Sequence, residues 1–215
     1  MQGVRTQGPR ISDYTVRRLS VYYRILEEIE RTGTEIASSA ALADLAGTNP
    51  AQIRKDLSYF GSFGKRGRGY RVSALKSEIK TILGLDRRWR VVLAGAGNLG
   101  HALCSYKDFA EHGFEIVAVF DTDPNKIGRS CEGITIHHMQ ECQEVVRQTG
   151  AELAIVATPG AAAQSTIDTL RRAGIGAFLN FASRKLEGAD RARVRTVDIT
   201  IELEGLTYAL SSSSE

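Results

Sequence analysis

The sequence predicts an α/β chain in two parts, a small helical domain with a basic wing followed by a larger domain built on a doubly wound parallel sheet. Three observations predict it. Residues 1–90 read as short amphipathic helices interrupted by the glycine- and arginine-rich stretch GSFGKRGRGYRV. Beyond them apolar strands alternate with helices. At the border stands RVVLAGAGNLG, an apolar run that ends in Gly95, Gly97 and Gly100. The spacing divides the chain into 1–85, 86–200 and a terminal helix over 201–215.

Composition bounds the function classes. With 215 residues, 42% of them hydrophobic, the chain can bury one or two ordinary cores. No run approaches the roughly 18 apolar residues of a membrane span, and MQGVRTQGPR lacks the apolar core of a signal peptide, so the expectation is a soluble, cytoplasmic protein with no membrane partner. Cys104, Cys131 and Cys142 form no C-x-x-C pair, which speaks against zinc and a redox dithiol and for buried or incidental thiols. Charge is unevenly placed. Residues 1–90 hold 17 Lys and Arg against 9 Asp and Glu, a net of +8, whereas 91–215 hold 11 against 16, a net of −5. The first part suits a polyanion and the second does not.

The elements follow in order. A first helix is predicted from about Ser12 to Arg31, with Val16, Leu19, Tyr23, Leu26 and Ile29 as its apolar stripe, Arg17, Arg18 and Arg24 on the other face, and Gly33 as its stop. SSAALADLAG is a short helix capped by Ser38 or Ser39. In TNPAQIRKDLSYFG, Thr48 or Asn49 can cap, Pro50 suits the first helical position, and Ile53, Leu57 and Phe60 make one stripe. Two short helices joined by so tight a turn form a helix-turn-helix, with residues 61–72 as a basic hairpin, or wing. A further helix over about 73–83 completes the domain.

Beyond GLDRRW the rhythm becomes strand, helix, strand. RVVLAG is a strand, LGHALCSYKDFAEHG a helix, FEIVAVFDTD a strand, and GITIHH a weaker strand before the helix MQECQEVVRQTG. AELAIVATPG, IGAFLNFAS and RVRTVDIT are strands, AAAQSTIDTLRRAG a helix, and IELEGLTYAL the last helix. Near-continuous apolar strands between helices imply a parallel sheet covered on both faces, a Rossmann-type domain.

The glycine pattern follows a predicted strand and opens a helix, which is the context a dinucleotide needs. Gly95 makes the tight turn, Gly97 admits a pyrophosphate, Gly100 packs helix on sheet, and Ala96, Asn98 and Leu99 complete the loop. Asp121, at the end of the next strand, can accept hydrogen bonds from both ribose hydroxyls and would repel a 2′-phosphate, so NADH and NAD+ are favoured over their phosphorylated forms. Thr158, Pro159, Asn180 and Phe181 end later strands at the same sheet edge and join the candidate cofactor site. Tyr106, placed about two turns into the helix after the loop, faces either this crevice or its own helix.

No general acid or base stands out for an enzyme. Tyr106 is followed by Lys107 without a Tyr-x-x-x-Lys spacing, and His101, His112, His137 and His138 form no metal spacing. A cofactor site without chemistry suggests a sensor, with a small NAD-dependent oxidoreductase and a constitutive DNA-binding protein as alternatives. Gln52, Arg54, Lys55, Ser58 and Tyr59 lie on or beside the polar side of the second helix of the helix-turn-helix, which can enter a major groove. Lys65, Arg66 and Arg68 on the wing can reach phosphates or a minor groove.

The stretches QIRKDLSYFGSFGKRGRGYRV, GAGNLGHAL, FDTDPNKIG, NFA and VD together resemble the Rex family of redox-sensing transcriptional repressors, from about Tyr14 to Leu210. The resemblance implies a homodimer whose C-terminal helices swap between subunits, binding palindromic operator DNA when NAD+ dominates and releasing it with NADH. It also implies that Tyr106, Asp198 and Arg24 form a redox-dependent network between the two domains. The chain departs from the family pattern at Ser183, where proline is usual, and at Ile199, where some members carry an aromatic residue.

Overall fold

The computed structural model describes residues 11–64, 68–182, 186–187 and 193–212. Lys65, Arg66, Ser183 and the terminal 213–215 lie outside the described residues. The chain divides between Arg87 and Arg88 into two compact units.

In the first unit, helix α1 (Asp13–Arg31) starts where Ser12 accepts a hydrogen bond from the Thr15 amide. Ser38 caps α2 (Ser39–Leu45) in the same way, and Asn49 caps α3 (Pro50–Ser58) by accepting from the Gln52 amide at 2.9 Å. Each such cap is worth about 1 kcal/mol, so polar residues set all three helix starts. Helix α4 (Val72–Ile82) packs along α1, and Leu19, Leu26, Leu42, Ile53, Val72 and Ile79 make the core. One expectation changes. The buried face of α1 runs through Tyr22 and Ile25 as well as Leu19 and Leu26, and Arg18 lies half-buried on it rather than in solvent. Of the expected wing, residues 65–67 lie outside the described residues, and beyond them β2 (Tyr70–Arg71) pairs antiparallel with β1 (Ile36–Ala37), the segment just ahead of α2. Two-residue strands are too short to show a period.

In the second unit the described strands form one seven-stranded sheet. They are β3 (Trp89–Ala94), β4 (Phe114–Asp121), β5 (Ser130–Cys131), β6 (Ile134–His138), β7 (Leu153–Val156), β8 (Ala177–Asn180) and β9 (Val194–Thr196). Their order is β5-β6-β4-β3-β7-β8-β9, parallel throughout except the β5–β6 hairpin. Along β3, Val91 and Leu93 enter one apolar cluster while Val92 and Ala94 enter the other, so both faces are buried and the strand reads as unbroken hydrophobicity. Order reverses between β3 and β7, which makes the ends of those two strands the topological switch point.

Helices α5 (Asn98–Cys104), α6 (Asp108–Glu111), α7 (Cys142–Thr149), α8 (Gly160–Arg172) and α9 (Ile199–Ser212) complete the unit. The helix expected after the glycine loop is two helices, and Tyr106 stands in the break between them rather than two turns into one. A one-turn 3-10 helix over Met139–Glu141 precedes α7, and the last helix begins at Ile199, two residues before the expected start. No helix among the described residues is long and apolar enough to cross a membrane.

Candidate functional site: a nucleotide crevice and a recognition helix

The glycine loop is built by close backbone approaches. The Gly95 amide donates to the Phe120 carbonyl at 2.8 Å, with φ at +103°, and a side chain there would come within 2.6 Å of the Ala157 carbonyl oxygen. At Gly100 an added Cβ would lie 1.9 Å from the Gly95 carbonyl oxygen, so α5 can sit this close to the sheet only without a side chain. Gly97 differs. Nothing lies within 4 Å of where its Cβ would be, and Gly97, Asn98 and Leu99 are exposed while Ala96 is buried. Open space over the second glycine, at the head of a helix, is what a pyrophosphate needs.

The neighbouring strand ends support this. Thr158 follows β7 beside Gly95, and among the described residues its Oγ1 is the buried side-chain atom with no hydrogen-bond partner. An orphaned hydroxyl beside the glycine loop fits a ligand that supplies the missing partner. Pro159 is exposed at the start of α8. Asn180 is fully buried and holds the turn after β8: its Nδ2 donates to the Ala182 carbonyl and to Thr196 Oγ1, and its Oδ1 accepts from the Ala182 amide at 3.1 Å. Phe181 donates its amide to Val156 and packs partly into the core.

Asp121 has four donors on its carboxylate. Oδ1 accepts from the Thr122 and Asp123 amides, and Oδ2 accepts from the Ala96 amide at 2.8 Å and from Lys126 Nζ at 3.0 Å. Burial pushes the carboxyl up, but these bonds outweigh it and hold Asp121 below the usual aspartate range. It is therefore ionised at neutral pH, directly beside the glycine loop. Lys126, which sequence reasoning passed over, places a cation at the same position, and the i,i+5 spacing in DTDPNK was its only signal.

On α3, Arg54, Lys55, Ser58 and the following Tyr59 are exposed. Arg54 donates to Ser39 Oγ at 3.0 Å, linking α3 to the start of α2, and Ser58 Oγ donates to the Lys55 carbonyl. Arg68 is exposed on the described part of the wing. Gln52 is half-buried, with its Nε2 donating to Asp56 Oδ1 at 2.8 Å. Asp56 was the larger omission. It is completely buried on the inner side of α3 and also accepts from Arg18 Nε at 2.6 Å, Arg18 NH2 at 2.7 Å and the Tyr22 hydroxyl at 2.8 Å. Burial opposes its ionisation, yet the bonds from Arg18, Tyr22 and Gln52 keep Asp56 below the usual range, while burial and then Asp56 push the Tyr22 phenol up. This cluster clamps α3 to α1, and a lone Asp among Arg and Lys gave no sequence signal for it.

The three residues of the expected switch stand in separate settings. The exposed Tyr106 donates its hydroxyl to Asp108 Oδ2 at 2.9 Å and meets the Phe109 ring edge-on. Asp198 accepts from the Thr200 amide and so caps α9. Arg24 is exposed on α1 in the other unit. Helix α9 itself buries no residue, and Ile199, Ile201, Leu203, Leu206, Tyr208 and Leu210 are each 57–74% exposed.

Known proteins match both units. A family model described as "CoA binding domain" covers residues 86–184, and one described as "Putative DNA-binding protein N-terminus" covers 10–58. The redox-sensing transcriptional repressor Rex of Carboxydothermus hydrogenoformans is 46% identical over 202 residues, 94% of this chain and 97% of its own. The chain belongs to the Rex family of redox-sensing transcriptional repressors. Among solved structures, the Rex-family repressor RSP in complex with NAD+ and operator DNA superposes with a TM-score of 0.88 at 33% identity, covering 95% of this chain and 94% of RSP. RSP with NADH gives 0.84 at 31% identity, covering 95% and 96%. A Rex-family chain is a repressor and not an enzyme, which sets the oxidoreductase alternative aside.

Proposed function

We propose that this Rex-family repressor acts as a homodimer that binds a palindromic operator through α3 and the wing, and releases it when NADH occupies the crevice at the ends of β3 and β7. The observation that carries the reading is the crevice: a glycine loop closed by backbone at Gly95 and Gly100, open over Gly97, and flanked by the unpartnered Thr158 hydroxyl. Gly95, Ala96, Gly97, Asn98, Leu99 and Gly100 hold the pyrophosphate, and Asp121 with Lys126 reads the adenosine ribose. Thr158 supplies a hydroxyl, and Pro159, Asn180 and Phe181 shape the wall. NADH and NAD+ differ at the nicotinamide, which loses its positive charge and planarity on reduction.

On the DNA side, Arg54 and Lys55 meet base edges or phosphates, Ser58, Tyr59, Lys65, Arg66 and Arg68 add backbone contacts, and Gln52 works by holding Asp56. A two-fold axis is supported by α9: six large apolar residues left uncovered by their own chain fit a helix that docks on a second copy. Tyr106, Asp198 and Arg24 carry the switch, with Asp198 trading its cap on α9 against Arg24, and Tyr106 trading Asp108 against Asp198. An operator-DNA partner supports a cytoplasmic protein, where the chromosome lies.

The test is an operator titration with and without each dinucleotide. NADH should weaken binding and NAD+ should not, and linkage requires operator DNA to weaken NADH by the same factor. Tyr106→Phe or Asp198→Ala should abolish an effect of several-fold to about a hundredfold, the usual range of allosteric coupling. Release of DNA by NADH unchanged in both variants would remove this network from the switch.

A further inference from the structure

The path from the nucleotide loop to the sheet edge brings two thiols together. Cys104 is the last residue of α5 and half-buried, Cys131 ends β5 and is buried, and the two thiols pack into the same apolar cluster, where each acts on the other. The third cysteine, Cys142, is buried in the cluster on the opposite face of the sheet.

A second observation falls on the same spot. Cys131 pairs with Ile134 across the two-residue turn Glu132–Gly133, whose φ values are both positive, 50° and 84°. Among the described residues Glu132 is the one non-glycine residue with a positive φ. Such a conformation persists only where its surroundings hold it. Here the turn fixes the strand end that carries Cys131.

We infer that Cys104 and Cys131 are a modification site, an intrachain disulfide formed by an oxidant of the peroxide class, which ties the helix of the phosphate loop to the edge hairpin. Cys104 is the more accessible thiol and reacts first. Its thiolate attacks one peroxide oxygen, the O–O bond breaks, and the departing hydroxide takes a proton to become water, leaving a sulfenic acid on Cys104. Cys131, giving up its proton, then attacks Cys104 Sγ. The S–O bond breaks, and the hydroxide leaves with that proton as a second water. Two thiols and one hydrogen peroxide thus become a disulfide and two waters, the sulfurs being oxidised and the peroxide reduced.

The site is slow by construction. Burial first, then the bond to Cys131 and the nearby Glu132, push the Cys104 thiol up to about 12, so thiolate is scarce at neutral pH. Its oxidation rate should rise roughly tenfold for each pH unit between neutral and mildly alkaline solution. This input needs neither the nucleotide nor the DNA reading above.

The experiment exposes the full chain to hydrogen peroxide, blocks remaining thiols with N-ethylmaleimide, and reads intact mass and linked tryptic peptides. The expected product has lost two hydrogens, carries a single alkyl group at Cys142, contains a Cys104–Cys131 linked peptide, and returns to three alkylated thiols after dithiothreitol. Cys142→Ser should leave the link intact, whereas Cys104→Ser and Cys131→Ser should each abolish it; the mapping on the parent chain stands even if a variant fails to fold. Three alkylatable thiols after exposure that oxidises a control dithiol would overturn the inference. So would oxygen added to Cys104 with Cys131 still alkylatable, or a link that involves Cys142 or a second chain.

Discussion

Replacing Asp56 by alanine should loosen α3, the proposed recognition helix, without removing a side chain proposed to meet DNA. The carboxylate is fully buried and accepts four hydrogen bonds, from Arg18 twice, Tyr22 and Gln52. Its removal strands the Tyr22 hydroxyl, on a side chain 1% exposed, at a cost of about 1–3 kcal/mol. Arg18 is 33% exposed and can turn to water, so its share is discounted to about 1 kcal/mol. Gln52 re-solvates. The total is about 3 kcal/mol, at the low end for breaking a buried pair. Hydrogen exchange on the full chain reads it directly: the amides of the buried α3 residues Ile53 and Leu57 should exchange on the order of a hundredfold faster, with Val92 and Leu93 as an unaffected reference in the other unit. A change below about threefold would refute the clamp.

The same cluster has a pH signature. The folded-state pKa of Asp56 is lowered, so its stabilisation is present above the unfolded value and is lost as pH falls through the folded one, below about 4. The Tyr22 phenol is raised, so its contribution is present below about pH 10 and is lost on further rise.

Other substitutions separate the remaining roles. Arg54→Ala and Lys55→Ala should each weaken operator binding, by about 1–3 kcal/mol with relaxed sequence preference for a base contact, and uniformly across sequences with a shallower salt slope for a phosphate contact; unchanged affinity in both, with the fold intact, would displace α3 from the DNA. Asp121→Ala should narrow the preference for NADH over NADPH, since it removes the proposed ribose acceptor and the nearer of the two carboxylates that face Lys126, as parallel titrations of the two cofactors would show. Gly100→Ala should cost several-fold or more in NADH affinity, because its Cβ would collide with the Gly95 carbonyl and push α5 off the sheet; full NADH affinity would mean that the loop tolerates the shift.

The linear chain determined whatever depends on neighbours in sequence. Ser12, Ser38 and Asn49 announce helix starts because a cap is a bond to a backbone amide a few residues on. The apolar runs of β3 and β7 announce a sheet buried on both faces, and GAGNLG announces a phosphate loop because turn, approach and packing fall within six residues. Resemblance across the chain added the family and its partners. Tertiary structure alone decided the rest. Asp56 looks like one more charge on a polar face until α1, 34 to 38 residues earlier in sequence, delivers Tyr22 and Arg18 to it. The wing needs Ile36–Ala37, far from it in sequence, and Tyr106 loses its helix where α5 ends and α6 begins. Cys104 and Cys131 are 27 positions apart and meet in one apolar cluster only because the chain folds both onto the same face of the sheet. In each case the deciding contact joins segments whose separation carries no period or motif, so the information lies in packing and not in spacing.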